Sequence, residues 1–233
     1  MHGHHKHLIS TTKGAFLRLS YSGMKDFEGC ARRYYQVKIL KAYPFEDSTA
    51  TMYGKEVHLA CEEYIRDGKP LGGHVRFKEV LDKLNAYPGT KHTELEMAVN
   101  SHGQCMEFED EGGTFRGIAD LVIVDGDLAR IIDYKTGSAK YPDPKQLELM
   151  ALMVFAKFPA VMYVKGALLF LLHDVMIKRA YTRQDFNSIL SYWMSKRDSI
   201  MACADTGVWN PNPTGLCSWC PHTSCEHWKP KRK

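Results

Sequence analysis

Two apolar runs folded about an Asp-Gly centre constrain this chain more than any other feature. Residues 114–124 and 128–135 flank Asp125-Gly126-Asp127. Glycine accepts the positive φ that a tight reversal demands, so Asp-Gly between two apolar arms predicts a β-hairpin. Side chains two apart in a strand share a face. Asp133 and Lys135 therefore project together near the end of the second arm, and Asp120 on the first arm can reach them. Two carboxylates and an amine at a strand end form a compact polar cluster, and hard oxygen ligands of this kind suit Mg²⁺ or Mn²⁺.

The segments around the hairpin predict its surroundings. Ser20-Tyr21-Ser22 can cap a helix over 24–40, which Tyr43-Pro44-Phe45 ends. Further helices are expected over 52–65 and 77–84. The pattern then alternates, predicting strands over 94–100 and 104–109. Beyond the hairpin come a helix over 144–158, strands over 163–172 and 175–181, and a helix over 183–204. The fold class expected is α/β: a mixed central β-sheet flanked by helices.

At 233 residues and 44% hydrophobic, the chain can bury a sizeable core. Its net charge of +4 permits nucleic-acid binding without arguing for it. The longest apolar run, 161–172, is interrupted by Lys165 and Gly166 and reads as a buried strand, not a membrane span. Met1 is followed by His2, His4, His5 and His7 instead of an apolar stretch, so no signal peptide is expected. Seven cysteines in such a chain point to thiols in a reducing, intracellular setting, and a cytoplasmic protein is expected.

Several motifs occur in a fixed order: Gly54 through His58, Gly117-Ile118-Ala119-Asp120, Ile132-Asp133-Tyr134-Lys135-Thr136-Gly137, then Gln146. Upstream lie Ser20 to Ser22, Phe27, Cys30, Arg33, Tyr34 and Tyr35. Over 20–225 this series resembles the RecB-type branch of the PD-(D/E)XK nucleases. The resemblance implies a restriction-endonuclease-like fold. It implies that His58, Asp120, Asp133 and the backbone carbonyl of Tyr134 ligate Mg²⁺ or Mn²⁺. Lys135 would be the catalytic lysine, and Gln146 would orient the site or contact the substrate. Met150 stands where the branch often has tyrosine. Glu62 and Glu96 are further acidic candidates, ranked behind these.

The end of the chain is similar to the cluster-bearing members, namely AddB-type helicase-nucleases and CRISPR-associated adaptation exonucleases. Cys217-Ser218-Trp219-Cys220 and Cys225 put three thiols within nine positions, among helix-breaking Pro211, Pro213, Gly215 and Pro221. The resemblance makes Cys30 the fourth ligand of a 4Fe-4S cluster. Structural zinc is the alternative, with His222 and His227 as further ligands. Cys61, Cys105 and Cys203 have no partner at ligand spacing and read as core fillers. Arg32, Arg33, Lys38 and Lys41 with Tyr34, Tyr35 and Tyr43 mix cations and aromatics, as a contact to a DNA strand requires. Lys229, Lys231, Arg232 and Lys233 offer a nonspecific phosphate contact.

The organisation expected is an N-terminal extension (1–19), a nuclease domain (20–209) and a Cys-rich metal knuckle with a basic tail (210–233) packed back on that domain. The function expected is a metal-dependent DNA nuclease, an exonuclease of DNA end processing, recombination, repair or phage DNA metabolism. Its partner would be DNA, at ends or as single strands, and no membrane. The other reading is a catalytically inactive nucleic-acid-binding protein with a structural metal site.

Overall fold

A computed structural model describes residues 18–44 and 46–230. The N-terminal histidines and the last three residues of the basic tail, in the expected extension and knuckle, lie outside the described residues.

The hairpin forms as expected. β3 (Phe115–Asp125) and β4 (Leu128–Lys135) pair antiparallel, and the pair Asp125↔Leu128 leaves Gly126-Asp127 as the loop. Gly126 has φ 58°, a conformation that a Cβ opposes. The hairpin sits inside a six-stranded sheet of order β2-β1-β3-β4-β5-β6, with β1 Thr90–Val99, β2 Cys105–Met106, β5 Tyr163–Phe170 and β6 Val175–Thr182. Only β4 and β5 run parallel, so the sheet is mixed.

A parallel pair needs a crossover. Helix α5 (Lys145–Lys157) supplies it. This helix is buried nearly all round, because it lies between the sheet and the long helix α6 (Phe186–Thr206). Two strand glycines let it sit close. A Cβ on Gly117 would come 2.8 Å from Met153 Cε, and one on Gly166 would come 3.2 Å from Leu147 Cβ.

Helices α3 (Thr49–Asp67) and α4 (Lys78–Asn85) cover the other face. Val57, Cys61, Ile65, Leu81 and Leu84 pack there against Leu121, Ile123, Ile132, Tyr134 and Leu169. Ser48 caps α3 by accepting the N–H of Thr51, and Gly68 at φ 69° ends it.

Three local expectations need correction. The helix expected over 24–40 is interrupted. It forms α1 (Tyr21–Gly29) and α2 (Ala31–Tyr34), the latter continuing into a π turn at Tyr35–Ile39. Cys30 stands between them in extended backbone, φ −167° and ψ 110°, and its Sγ accepts the N–H of Arg33 as the cap of α2. The apolar stripe continues across the break, so periodicity does not register it. The strand expected over 104–109 shrinks to β2, because only Cys105 and Met106 find partners on β1. Cys105 is consequently exposed and not a core filler, whereas Cys61 is fully buried.

After Gly207 the chain turns back to the N-terminal helices. Trp209 stacks on Tyr35 with ring centroids 4.9 Å apart. Asn212 Nδ2 donates to Gly29 O, and Tyr43 Oη lies 2.9 Å from His222 Nδ1. Among the described residues no helix is long and apolar enough to cross a membrane.

Candidate active site

The site forms where the strands part. Pairing between β3 and β4 stops at Leu121↔Ile132, so Asp120 and Asp133 are the next residues beyond the last rung. On the other side of β3, Thr93↔Leu121 and Leu95↔Ala119 are paired, but Glu94 and Asp120 between them are not. Glu94 has φ 46°, a left-handed conformation that costs a non-glycine residue about 1–3 kcal/mol. Both strands change faces here: Leu95 and Ala119 pack on the α5 side, whereas Leu121 packs on the α3 side. The distortion turns Glu94 and Asp120 toward His58 on α3.

Asp120 joins three elements. Its Oδ1 lies 3.1 Å from His58 Nδ1, and its Oδ2 accepts the backbone N–H of Tyr134 at 2.5 Å. The N–H and C=O of one strand residue point to the same edge, so the Tyr134 carbonyl faces this gap too. Lys135 O points to the opposite edge and accepts the N–H of Leu171. Burial alone would lower the His58 pKa, but the hydrogen bond and charge of Asp120, with Asp133 and Glu94 beyond, raise it. The Glu94 carboxyl is raised by burial and then by the charge of Asp120.

Asp133 is 6% exposed. Lys135 Nζ lies 2.6 Å from its Oδ2, and Gln146 donates its side-chain amide to Oδ1. The ammonium forms an ion pair with this buried oxygen. Burial and the nearby Asp120 push the Asp133 carboxyl up to about 6, against the pull of Lys135.

Glu94, missing from the expected set, is the third residue of a potential metal centre. Ligand atoms of His58, Glu94 and Asp120 lie within 4.8 Å of one another. Starting the strand at residue 94 instead of Thr90 hid the fact that Glu94 stands level with Asp120. Glu96 is exposed, while Glu62 pairs with Arg66 and lines the cleft beside Glu94. That cleft, about 510 Å³, is also lined by Gly54, Lys55, His58 and Thr136. A Cβ on Gly54 would come 3.1 Å from Thr136 Oγ1, so the glycine ahead of His58 is what lets α3 approach the end of β4.

Imidazole, carboxylates and a strand carbonyl make a donor set that fits a divalent cation. The profile of the PD-(D/E)XK nuclease superfamily matches residues 18–225, which contain every residue named above. The chain belongs to the PD-(D/E)XK nuclease superfamily. The chain's fold is similar to a putative exonuclease from Eubacterium rectale, at TM-score 0.52 and 16% identity over 95% of this chain and 93% of that one. The structure of LHK-Exo in complex with dAMP aligns at TM-score 0.45 and 12% identity over 85% of this chain and 93% of that one. No curated protein matches the sequence significantly.

The remaining expected residues of this superfamily member divide. Met150 is buried in the core beneath Gln146, one turn along α5. Tyr34 is 4% exposed and packs edge-on to Phe27, so it cannot stack on a base; this corrects its place among the DNA contacts. Arg33 and Lys38 both pair with Asp26 within the N-terminal segment, whereas Arg32 pairs with Glu226 and so ties that segment to the C-terminal one. Cys30, Cys217, Cys220 and Cys225 line one hollow, with His222 and His227. Cys30 Sγ also accepts the N–H of Asn212, and Cys217 Sγ that of Thr214. Among the described residues, no three Cys or His ligand atoms in this hollow come within 4.8 Å of one another.

Proposed function

We propose that this chain is a Mg²⁺- or Mn²⁺-dependent deoxyribonuclease of the RecB-type branch. In this reading it is an exonuclease that hydrolyses phosphodiester bonds at DNA ends in repair, recombination or phage DNA processing. One observation carries the reading: His58, Glu94 and Asp120 converge within 4.8 Å, beside the buried Asp133–Lys135 pair at a strand end. The Eubacterium rectale protein of similar fold is a putative exonuclease, which favours action from ends.

The residues divide the work. His58, Asp120, Asp133 and the Tyr134 carbonyl would hold the cation, with Glu94 added to that set. A bound divalent cation polarises the phosphate and makes a bound water more acidic. Lys135, next to the cleft-lining Thr136, keeps a third of its side chain exposed, and its ammonium would neutralise charge growing on a phosphoryl oxygen. Gln146 holds Asp133 in one orientation from α5. His58, already fixed by Asp120, presents its other ring nitrogen to the cleft.

The four-cysteine centre belongs to the same proposal. Cys30, Cys217, Cys220 and Cys225 would hold a 4Fe-4S cluster that joins residues 210–233 to the nuclease domain of 20–209. Backbone N–H groups of Arg33 and Asn212 are aimed at the sulfur of Cys30, and that of Thr214 at the sulfur of Cys217. Such thiols imply a reducing, intracellular setting.

The experiment is direct. The protein is incubated with end-labelled linear DNA, single- and double-stranded, and with closed circles, in EDTA, Mg²⁺ or Mn²⁺. Metal-dependent release of nucleotides from linear DNA alone is expected. Cleaved circles would remove the exonuclease assignment, and intact DNA under every condition would remove the nuclease.

A further inference from the structure

A second charged hollow lies on the face of the sheet that α3 and α4 cover. It has a volume of about 660 Å³, and none of the residues lining it is acidic. The strand register explains it. Arg130 on β4, Lys165 on β5 and Ala180 on β6 form one cross-strand row; Ile132, Ala167 and Lys178 form the next. The two alanines leave the space, and α4 adds Lys83 and Leu84 at the rim. Arg130 and Lys165 stand directly opposite one another, an arrangement that like charges disfavour. Among the described residues no ion pair involves Arg130, Lys165 or Lys178, whereas Lys83 at the rim pairs with Glu79. Arg130 is held 4.5 Å from the ring centroid of Tyr87, and its Nη1 is buried without a hydrogen-bond partner. The fold thus holds three cations together with nothing anionic to offset them.

We propose that this hollow is a remote seat for the DNA backbone, taking phosphates on Arg130, Lys165 and Lys178 while sugars lie on Ile132, Ala167 and Met176. The proposal rests on the reading that the substrate is DNA. Arg130 lies five residues before Lys135 on the same strand, at least about 16 Å away at 3.3 Å per residue, and on the face of the sheet that Ile132 and Tyr134 share. A strand held at the active site must extend at least about five nucleotides at 3.4 Å each to reach it. The hollow therefore acts on long strands only. Arg179 also lines the hollow, and its guanidinium donates to the backbone carbonyl of Lys178.

The test measures binding of end-labelled single strands of 3 and 15 nucleotides, by fluorescence anisotropy in EDTA over a range of salt. Variants are Lys165→Glu with Lys178→Glu and the conservative Lys165→Arg with Lys178→Arg, each checked for a cooperative melt. The glutamate pair should weaken the 15-mer at least about 10-fold. It should also lower its salt slope by about 1.4, two phosphates at about 0.7 each. The 3-mer should be unaffected, and the arginine pair should bind as wild type does. Equal losses for both lengths, or a 15-mer slope that stays at the wild-type value, overturn the proposal. So does dAMP or pyrophosphate binding that is lost in the glutamate pair while the 15-mer is unaffected, because the hollow would then serve free phosphates. Wild-type protein that binds neither oligonucleotide removes the nuclease reading first, and this one with it.

Discussion

Glu94 stands level with Asp120 across a missing rung of the ladder, and its left-handed backbone turns its carboxylate into the same cluster. Strain held at such a point serves the site and not the fold. Glu94→Gly removes both the strain and the ligand. In EDTA it should raise the melting temperature by about 2–4 °C, for a gain of about 1 kcal/mol. Calorimetry should show Mn²⁺ affinity reduced at least about 10-fold. A lower melting temperature with unchanged metal affinity would falsify the assigned role.

Asp120 and Asp133 should be indispensable. Asp120→Asn retains an acceptor for the Tyr134 N–H, and Asp133→Asn one for Gln146, so both variants should fold. Each should lower turnover by more than about 100-fold, since even groups that only support metal ligands cost 10–100-fold when lost. The check is initial rate at matched protein and metal concentrations. Either variant at wild-type rate rules out the proposed site.

Lys135→Ala separates charge stabilisation from metal binding. Removing one group that acts on transition-state charge costs about 10²–10³ in turnover. Metal affinity should hold or rise, because Asp133 loses a competing cation 2.6 Å away. Calorimetry with Mn²⁺, read beside the turnover, decides; weakened metal binding would place the lysine among the ligands' supports.

Asp133 also sets a pH signature in metal-free protein. Its carboxyl is raised from an ordinary 3.8 to about 6, so the folded chain holds that proton more tightly than the unfolded one. The stability this protonation lends is full below about pH 4 and is lost as the pH rises to about 6, roughly 3 kcal/mol at 1.36 kcal/mol per unit. Asp133→Asn does not titrate. In EDTA its melting temperature relative to wild type should therefore climb between pH 4 and pH 7. A difference that is flat over that range contradicts the raised carboxyl.

The cysteine hollow makes its own demand. A centre joining Cys30 to Cys225 closes a very long loop, which restricts the unfolded chain. Cys30→Ser and Cys220→Ser should each lower iron content, absorbance near about 400 nm and melting temperature together. Protein prepared without oxygen that carries neither iron nor zinc excludes the centre; zinc without iron selects the alternative. The catalytic proposal is independent of either result.

Local chemistry alone settled much of this molecule. Asp-Gly between two apolar arms determined the hairpin, and the period-two rule put Asp133 and Lys135 on one side of it. The 3.6-residue apolar pattern after 144 determined the crossover helix that brings Gln146 to Asp133. Such signals are legible because turn geometry and side-chain direction depend on adjacent residues. Tertiary structure decided the rest. Glu94 joined the site through register with a strand some twenty-five residues away and a backbone flip that no periodicity announces. Cys30 broke a helix whose apolar stripe runs on unbroken, and Tyr34, apt for stacking by type, was taken by the core. Arg130 and Lys165 became neighbours only when the β4–β5 crossover set the register Arg130↔Lys165. Each of these depends on which distant surfaces bury one another, and burial is a property of the packed chain rather than of any segment in it.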